Sequence, residues 1–403
     1  MKRRAARAVA LACAVGACGG DAQVVDEPYT GRAFPPPAPL TLPAGPWAVT
    51  SNNGADTLTF VDLAAGAVVA EVPVGLNPID LDGPHHLAVD RQTKDVFVAL
   101  SYPAPPIIPG PHAAHGSAAV NGKLVRLSLP DFSILGVARL DPNPGDIVLS
   151  DDGGRAVVTH FALEKALNPT APIEAQRARL LAFSARELVG AAPPAPRSVD
   201  VCVAPHGVAL SHGDGRRAYV ACYGEDALAI VDLADESQPV TRVPVGPNPG
   251  RAPTPAYGPY AIAIDDASQR VAVGTTESHE LRVFDATGAL LADKTWRPDV
   301  SKGGVFFPVF LGDLLVVPVQ RPDALYVLDL SGPATEVRRR VFAGDECQSP
   351  HEVRRSTVAG ELLVVCEGDH RGPGKLLIVD EVTLATRATL LTGAYPDRVE
   401  ALP

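Results

Sequence analysis

Four prolines in this chain are each followed by histidine. Three of them, Pro84-His85-His86, Pro205-His206 and Pro350-His351, head Val-rich or otherwise strand-like segments, while Pro111-His112 lies in a loop-like stretch. Three others head comparable segments, Pro144-Gly145-Asp146, Pro259-Tyr260-Ala261 and Pro396-Asp397-Arg398, and Glu352 follows His351. Imidazoles and carboxylates gathered at one point could hold a transition-metal ion, since imidazole suits zinc, copper and iron. The same groups could act as general base and electrophile on a bound ester or lactone. A third reading is structural, with the imidazoles capping their segments by hydrogen bonding. His85, His206 and His351 are the candidate metal ligands. Together with His86, Asp146, Tyr260, Glu352, Asp397 and Arg398 they make up the candidate ligand-binding set, and no catalytic residue is assigned.

What brings such residues together is a repeat. From Pro205 to Val245 the chain reads as four short Val- and Ile-rich strands separated by turn residues, a four-stranded antiparallel meander whose strands are called A to D. Strand A opens just after each of the six segment-heading prolines named above. Strand C recurs as Leu58–Asp62, Leu228–Asp232, Leu281–Asp285, Leu325–Asp329 and Leu376–Asp380. A further unit is expected with Val305–Leu311 as its strand A, opened by Gly303-Gly304 in place of proline. Spacings of roughly 40 to 60 residues suit β-propeller blades with loop insertions. The first unit begins directly at strand B, Trp47–Thr50, and Pro396–Pro403 is an orphan strand A. Joined, they complete a seventh blade and close the ring, which limits unpaired edges. The expected fold is therefore all-β: a seven-bladed propeller of four-stranded antiparallel blades over residues 46–403.

Val49-Thr-Ser-Asn-Asn-Gly-Ala-Asp-Thr-Leu58, the run Val68–Gly75, Asn77-Pro78 and the Pro205-His206-Gly207-Val208-Ala209 opening resemble the YVTN-repeat (YncE-like) β-propellers. The resemblance implies the fold over about residue 45 onward and no particular enzyme, since such propellers serve as binding platforms, adhesin-like surface proteins and occasional enzymes. In such a blade the D–A and B–C loops share one face. The strand-A histidines and His112, His115, His160, His279 and His370 fall there, and only His212, in an A–B turn, lies opposite. The insertions Ser101–Lys123, Phe161–Arg179 and Gly246–Gly258 also belong to the histidine face, and ornamented loops on a rigid scaffold are where binding usually resides. A ligand or partner is expected over a channel mouth rimmed by His85, His206, His351 and Asp397. Phe161–Leu181 is the one expected helix, interrupted by Pro169 and Pro172.

Cys202 and Cys347 precede strand A of their units, while Cys222 and Cys366 end strand B, so each pair falls within disulfide range across adjacent antiparallel strands. The alternative is that Cys202-x3-His206 and Cys347-x3-His351 bind metal.

The address lies at the start. Residues 1–17 carry Lys2, Arg3, Arg4 and Arg7 before a short apolar run, a secretory signal too short to span a bilayer. Val15-Gly16-Ala17-Cys18 resembles the bacterial lipobox, which implies lipidation of Cys18. Residues 18–45, with Pro35, Pro36 and Pro37, then form a tether. The expected location is the cell envelope, lipid-anchored and favouring the outer membrane because Gly19 follows the cysteine. The expected partners are the membrane through Cys18 and an envelope protein or small-molecule ligand.

Composition agrees. Hydrophobic residues are 46% of the 403, while Gly (36) and Pro (40) punctuate too often for a helical bundle. A net charge of −11 argues against nucleic acid as partner. There is no Cys-x-x-Cys-His for covalent haem, no phosphate-cradling glycine loop and no Gly-x-Ser-x-Gly elbow. Three functions stay open: a binding platform, a metal-binding redox accessory and a lactonase-like hydrolase.

Overall fold

A computed structural model describes residues 31–33, 35–103, 120–168, 170–237, 239–299 and 303–403. Cys18 and the signal segment, with His112 and His115, lie outside the described residues.

Seven antiparallel sheets stand around one axis. Blade 4 shows the pattern in sequence order: Pro205–Leu210, Arg217–Cys222, Ala227–Asp232 and Thr241–Pro244. Neighbouring blades pack face to face, so inner strands are covered on both sides and lose the alternation of a half-exposed sheet. Val96–Leu100 of blade 2 and Trp47–Asn52 of blade 1 are buried at every position. The outermost strand has one dry face at most, and Thr335–Val341 of blade 6 is accordingly polar and largely exposed. Strands A of successive blades touch one another all the way round, blade 7 meeting blade 1 and blade 1 meeting blade 2.

The ring closes as the termini of the repeat require. Pro396–Leu402 pairs with Trp47–Asn52, Trp47 opposite Leu402 and Thr50 opposite Val399, as the innermost strand of blade 1. Two blades depart from the four-strand pattern. Blade 5 has three strands, and its fourth position is filled by single bridges from Leu290 and Trp296. In blade 6 the expected strand Val305–Leu311 is split into Gly304–Val305 and Val309–Leu311. Pro308 has no amide to donate to a ladder, and Phe307 turns to the next blade, giving its N–H to the carbonyl of His351 at 3.0 Å.

The helix expected over Phe161–Leu181 is corrected to two four-residue turns, Leu163–Ala166 and Ile173–Gln176, after which Arg177–Ser184 is already strand C of blade 3. The blade needs its third strand, and the alternating residues from 177 on supply it. No helix among the described residues is long and apolar enough to cross a membrane.

Both cysteine pairs are disulfides, Cys202–Cys222 with Cα atoms 5.8 Å apart and Cys347–Cys366 at 5.2 Å. The Cys-x3-His metal alternative is thereby removed, because a disulfide sulfur is no thiolate. Each link joins the approach to strand A with the end of strand B, the point where the strand-A histidine is presented. That point is also set by backbone. The residue before each opening proline has positive φ: Gly83 (63°), Asn143 (54°), Ala204 (47°), Gly258 (60°), Ser349 (55°) and Tyr395 (54°). This left-handed step redirects the chain from the rim toward the axis, and at non-glycine positions it costs about 1 kcal/mol.

Candidate functional site

Seven innermost strands converge so closely that the residues after the opening prolines fill the axis. His85, His86, Asp146, His206, Tyr260, His351, Glu352, Asp397 and Arg398 are all brought together there, each at most 4% exposed. Among the described residues, His85, His206, His351 and Asp397, expected to rim a mouth, lie buried side by side at the axis. An open cavity of about 420 Å3 lies at the other end of the axis, among Ser211, His212, Asp265 and Arg355, with Glu352 and Arg398 in its lining.

The cluster has two layers. In the layer nearer the open cavity, His86 Nδ1 lies 2.7 Å from Asp146 Oδ1, and Asp146 Oδ2 accepts the Val208 N–H at 3.0 Å. Arg398 reaches Asp146 at 3.2 Å and Glu352 at 3.3 Å, and its guanidinium stands 5.8 Å from the centre of the Phe307 ring. Glu352 also accepts from the Val399 N–H (2.8 Å) and from Arg354 (2.8 Å). Buried acids here are matched by arginine, the arrangement that makes burial of charge tolerable.

The layer at the histidine end is different. His85 Nδ1 is 3.1 Å from the carbonyl of Pro144, and His351 Nδ1 is 2.8 Å from the carbonyl of Asp397. A carbonyl only accepts, so both Nδ1 atoms carry hydrogen and, in the neutral rings, both lone pairs sit on Nε2. His85 Nε2 stands 3.8 Å from Asp397 Oδ2, and His351 Nε2 stands 3.8 Å from Glu367 Oε1. One ligand atom each from His351, Glu367 and Asp397 falls within 4.8 Å of the other two. Burial pushes the His85 imidazole down to about 4, keeping it neutral. Burial first, and then the Glu367 charge, push the Asp397 carboxyl well above the usual carboxylate range.

Aromatic rings wall the cluster. His206 stacks on Tyr260 at 3.7 Å between centroids, and its Nε2 is 2.6 Å from the Tyr260 hydroxyl. Phe161 meets His206 edge-on at 5.2 Å, and Phe307 meets His351 at 5.1 Å. His206 is therefore engaged by tyrosine, while His85 and His351 face carboxylates. Elsewhere His160 Nδ1 bonds the carbonyl of Arg179 at 2.7 Å, and His212 pairs with Asp151 at 2.7 Å in the A–B turns of the opposite face.

Glu367 is the residue that sequence reasoning missed, together with the role of His370. Glu367 follows Cys366, which pairs with Pro350, so its position is the blade-7 counterpart of Asn53, Ser101, Phe161 and Tyr223. Aligning the ends of strands B across the opening prolines would have disclosed this second ring. His370, placed only as a loop histidine, holds Glu367 Oε2 through Nε2 at 2.9 Å and stacks on Tyr395 at 3.7 Å.

No family model matches the chain, and no curated protein matches it. Solved structures do. The periplasmic gluconolactonase PpgL of Pseudomonas aeruginosa is 16% identical, with TM-score 0.63 over 89% of this chain and 99% of that one. Apo AztD from Citrobacter koseri is 11% identical, with TM-score 0.52 over 89% and 98%. The dihydro-heme d1 dehydrogenase NirN is 15% identical, with TM-score 0.56 over 91% and 79%. Identities this low establish the propeller fold alone, and the three names differ in chemistry.

Proposed function

We propose that the protein is a cell-envelope binding protein, YVTN-like and anchored through a lipidated Cys18, whose ligand is taken at the histidine-bearing end of the propeller axis. The observation that carries the reading is what fills the axis. A scaffold needs only aliphatic side chains there, yet His85, His351, Glu367 and Asp397 are each no more than 1% exposed. Burying acids costs folding free energy that only pairing and hydrogen bonds offset, and places where a chain breaks its own packing rules are commonly functional.

Stability tests this directly. Asp397→Asn, nearly isosteric, removes a buried acid, so in ligand-free, metal-free buffer at pH 8 its melting temperature is expected to equal or exceed wild type by about 1–3 °C. A fall of more than about 5 °C assigns the cluster to structure and ends the proposal. Metabolic labelling with palmitate, lost in Cys18→Ala, tests the anchor.

A second reading, lactone hydrolysis, is favoured by the buried His86–Asp146 pair at 2.7 Å, which could orient a general base. Turnover of a lactone panel that disappears in His86→Gln would favour it over passive binding.

A further inference from the structure

We infer that His85, His351, Glu367 and Asp397 form a site for a single divalent first-row transition-metal ion. The inference rests on the binding reading above and gives its ligand a chemical class.

The geometry supplies three independent parts. First come the lone pairs: both imidazoles donate Nδ1–H to backbone carbonyls, Pro144 and Asp397, so both Nε2 atoms are turned toward carboxylates. Metal-bound histidines are held in this way, the outer hydrogen bond fixing tautomer and ring orientation. Second comes spacing. The two Nε2-to-carboxylate distances are 3.8 Å each, longer than a direct hydrogen bond between the partners. Donor atoms around a four-coordinate ion at about 2.1 Å stand about 3.4 Å apart. His351, Glu367 and Asp397 already offer one atom each within 4.8 Å of the other two, and an ion draws these together, with His85 joining from beside Asp397. Third comes support for the acid: His370 holds the outer oxygen of Glu367 at 2.9 Å and is itself pinned on Tyr395.

Charge completes the case. Glu367 and Asp397 are both fully buried. A dication held between two buried carboxyl groups offsets the cost of placing their charge away from water. Two nitrogens and two carboxylate oxygens suit zinc, or iron, cobalt or manganese in the same oxidation state. Calcium and magnesium prefer all-oxygen shells. Copper(I) prefers soft sulfur, and here Cys347 and Cys366 are tied in a disulfide. The ligands come from three consecutive blades: His351 and Glu367 from blade 7, Asp397 from blade 1 and His85 from blade 2. A bound ion therefore bridges the seam at which the ring is closed.

The test uses the exported, untagged protein, stripped with a chelator and titrated with zinc, with cobalt(II) as optical probe. One equivalent of zinc is expected, with d–d bands of a low-coordinate nitrogen–oxygen site on cobalt loading. Asp397→Asn and Glu367→Gln should weaken zinc binding at least a hundredfold, and His370→Gln should weaken it about tenfold with stoichiometry kept. His212→Gln, in an exposed turn of the opposite face, should match wild type. Circular dichroism and the absence of free thiols confirm that each variant is folded. Less than about a tenth of an equivalent in wild type, or undiminished uptake by the two carboxamide variants, overturns the inference. If zinc fails to bind while Asp397→Asn still melts no lower than wild type, the metal alone is wrong and the axial binding site stands. If Asp397→Asn also melts well below wild type, both readings fall.

Discussion

At the scale of single residues, histidines of one chain meet different fates because their second nitrogen meets different neighbours. His206 is absorbed by Tyr260, His212 by an exposed aspartate, and His160 by the carbonyl of Arg179. His160 illustrates the cost of keeping an imidazole dry. Burial lowers its affinity for a proton from the ordinary value of 6.5, only partly opposed by Asp141 and the Arg179 carbonyl, while the Arg179 charge lowers it further. The unfolded chain therefore binds a proton that the folded chain refuses. Stability is greatest above about pH 6.5 and falls as pH drops below it toward the folded value, by up to about 1.4 kcal/mol per unit for one group. His160→Asn retains a donor to Arg179 and removes this titration. Urea denaturation between pH 7.5 and 5.5 should show a shallower decline than wild type, and superimposable slopes would refute the assignment. The histidines themselves were legible from their place after proline, and so was Asp397. Glu367 was not, because no local motif marks it; only the pairing of Cys366 with Pro350 discloses that its neighbour faces the axis.

Elements show why the openings are so regular. A left-handed residue, then proline, then the axial side chain recurs in blades 1 to 5 and 7. Proline was visible in the sequence; the left-handed step was not, since Ala204, Ser349 and Tyr395 are types that rarely adopt it. Gly83 is the member that tolerates least. At φ 63°, a Cβ there would lie 2.4 Å from Pro103 Cδ and 2.7 Å from Asn53 Oδ1. Gly83→Val is expected to cost about 3 kcal/mol through strain and overpacking together, read from the denaturant midpoint. A loss below about 1 kcal/mol would mean that the turn relaxes freely. The split first strand of blade 6 escaped the sequence reading for a tertiary reason: Phe307 prefers the backbone of blade 7 to that of its own sheet. The two short helical turns escaped it because Phe161 packs on His206 and Tyr223 and so anchors the insertion from its first residue.

The whole molecule is a ring whose integrity and candidate site share one strand. Ring closure was readable from a missing strand at one end of the repeat and a spare one at the other. The packed axis was not, because nothing in a linear pattern reports how tightly seven openings converge. Removing residues 396–403 deletes the inner strand of blade 1 together with Asp397 and Arg398. The shortened chain should expose the edge of Trp47–Asn52, lose its cooperative melt and become prone to edge-to-edge association. Calorimetry showing an unchanged transition would contradict a closed ring.

The pairing of Trp47–Asn52 with Pro396–Leu402 also imposes an order of events. Blade 1 must wait, its apolar strand unaccompanied, until every other blade has been synthesised, and contacts so distant along a chain form slowly. A half-made polypeptide therefore lacks Asp397 and Arg398 at its axis, and the centre of the ring is assembled in one step with the last blade-completing residues.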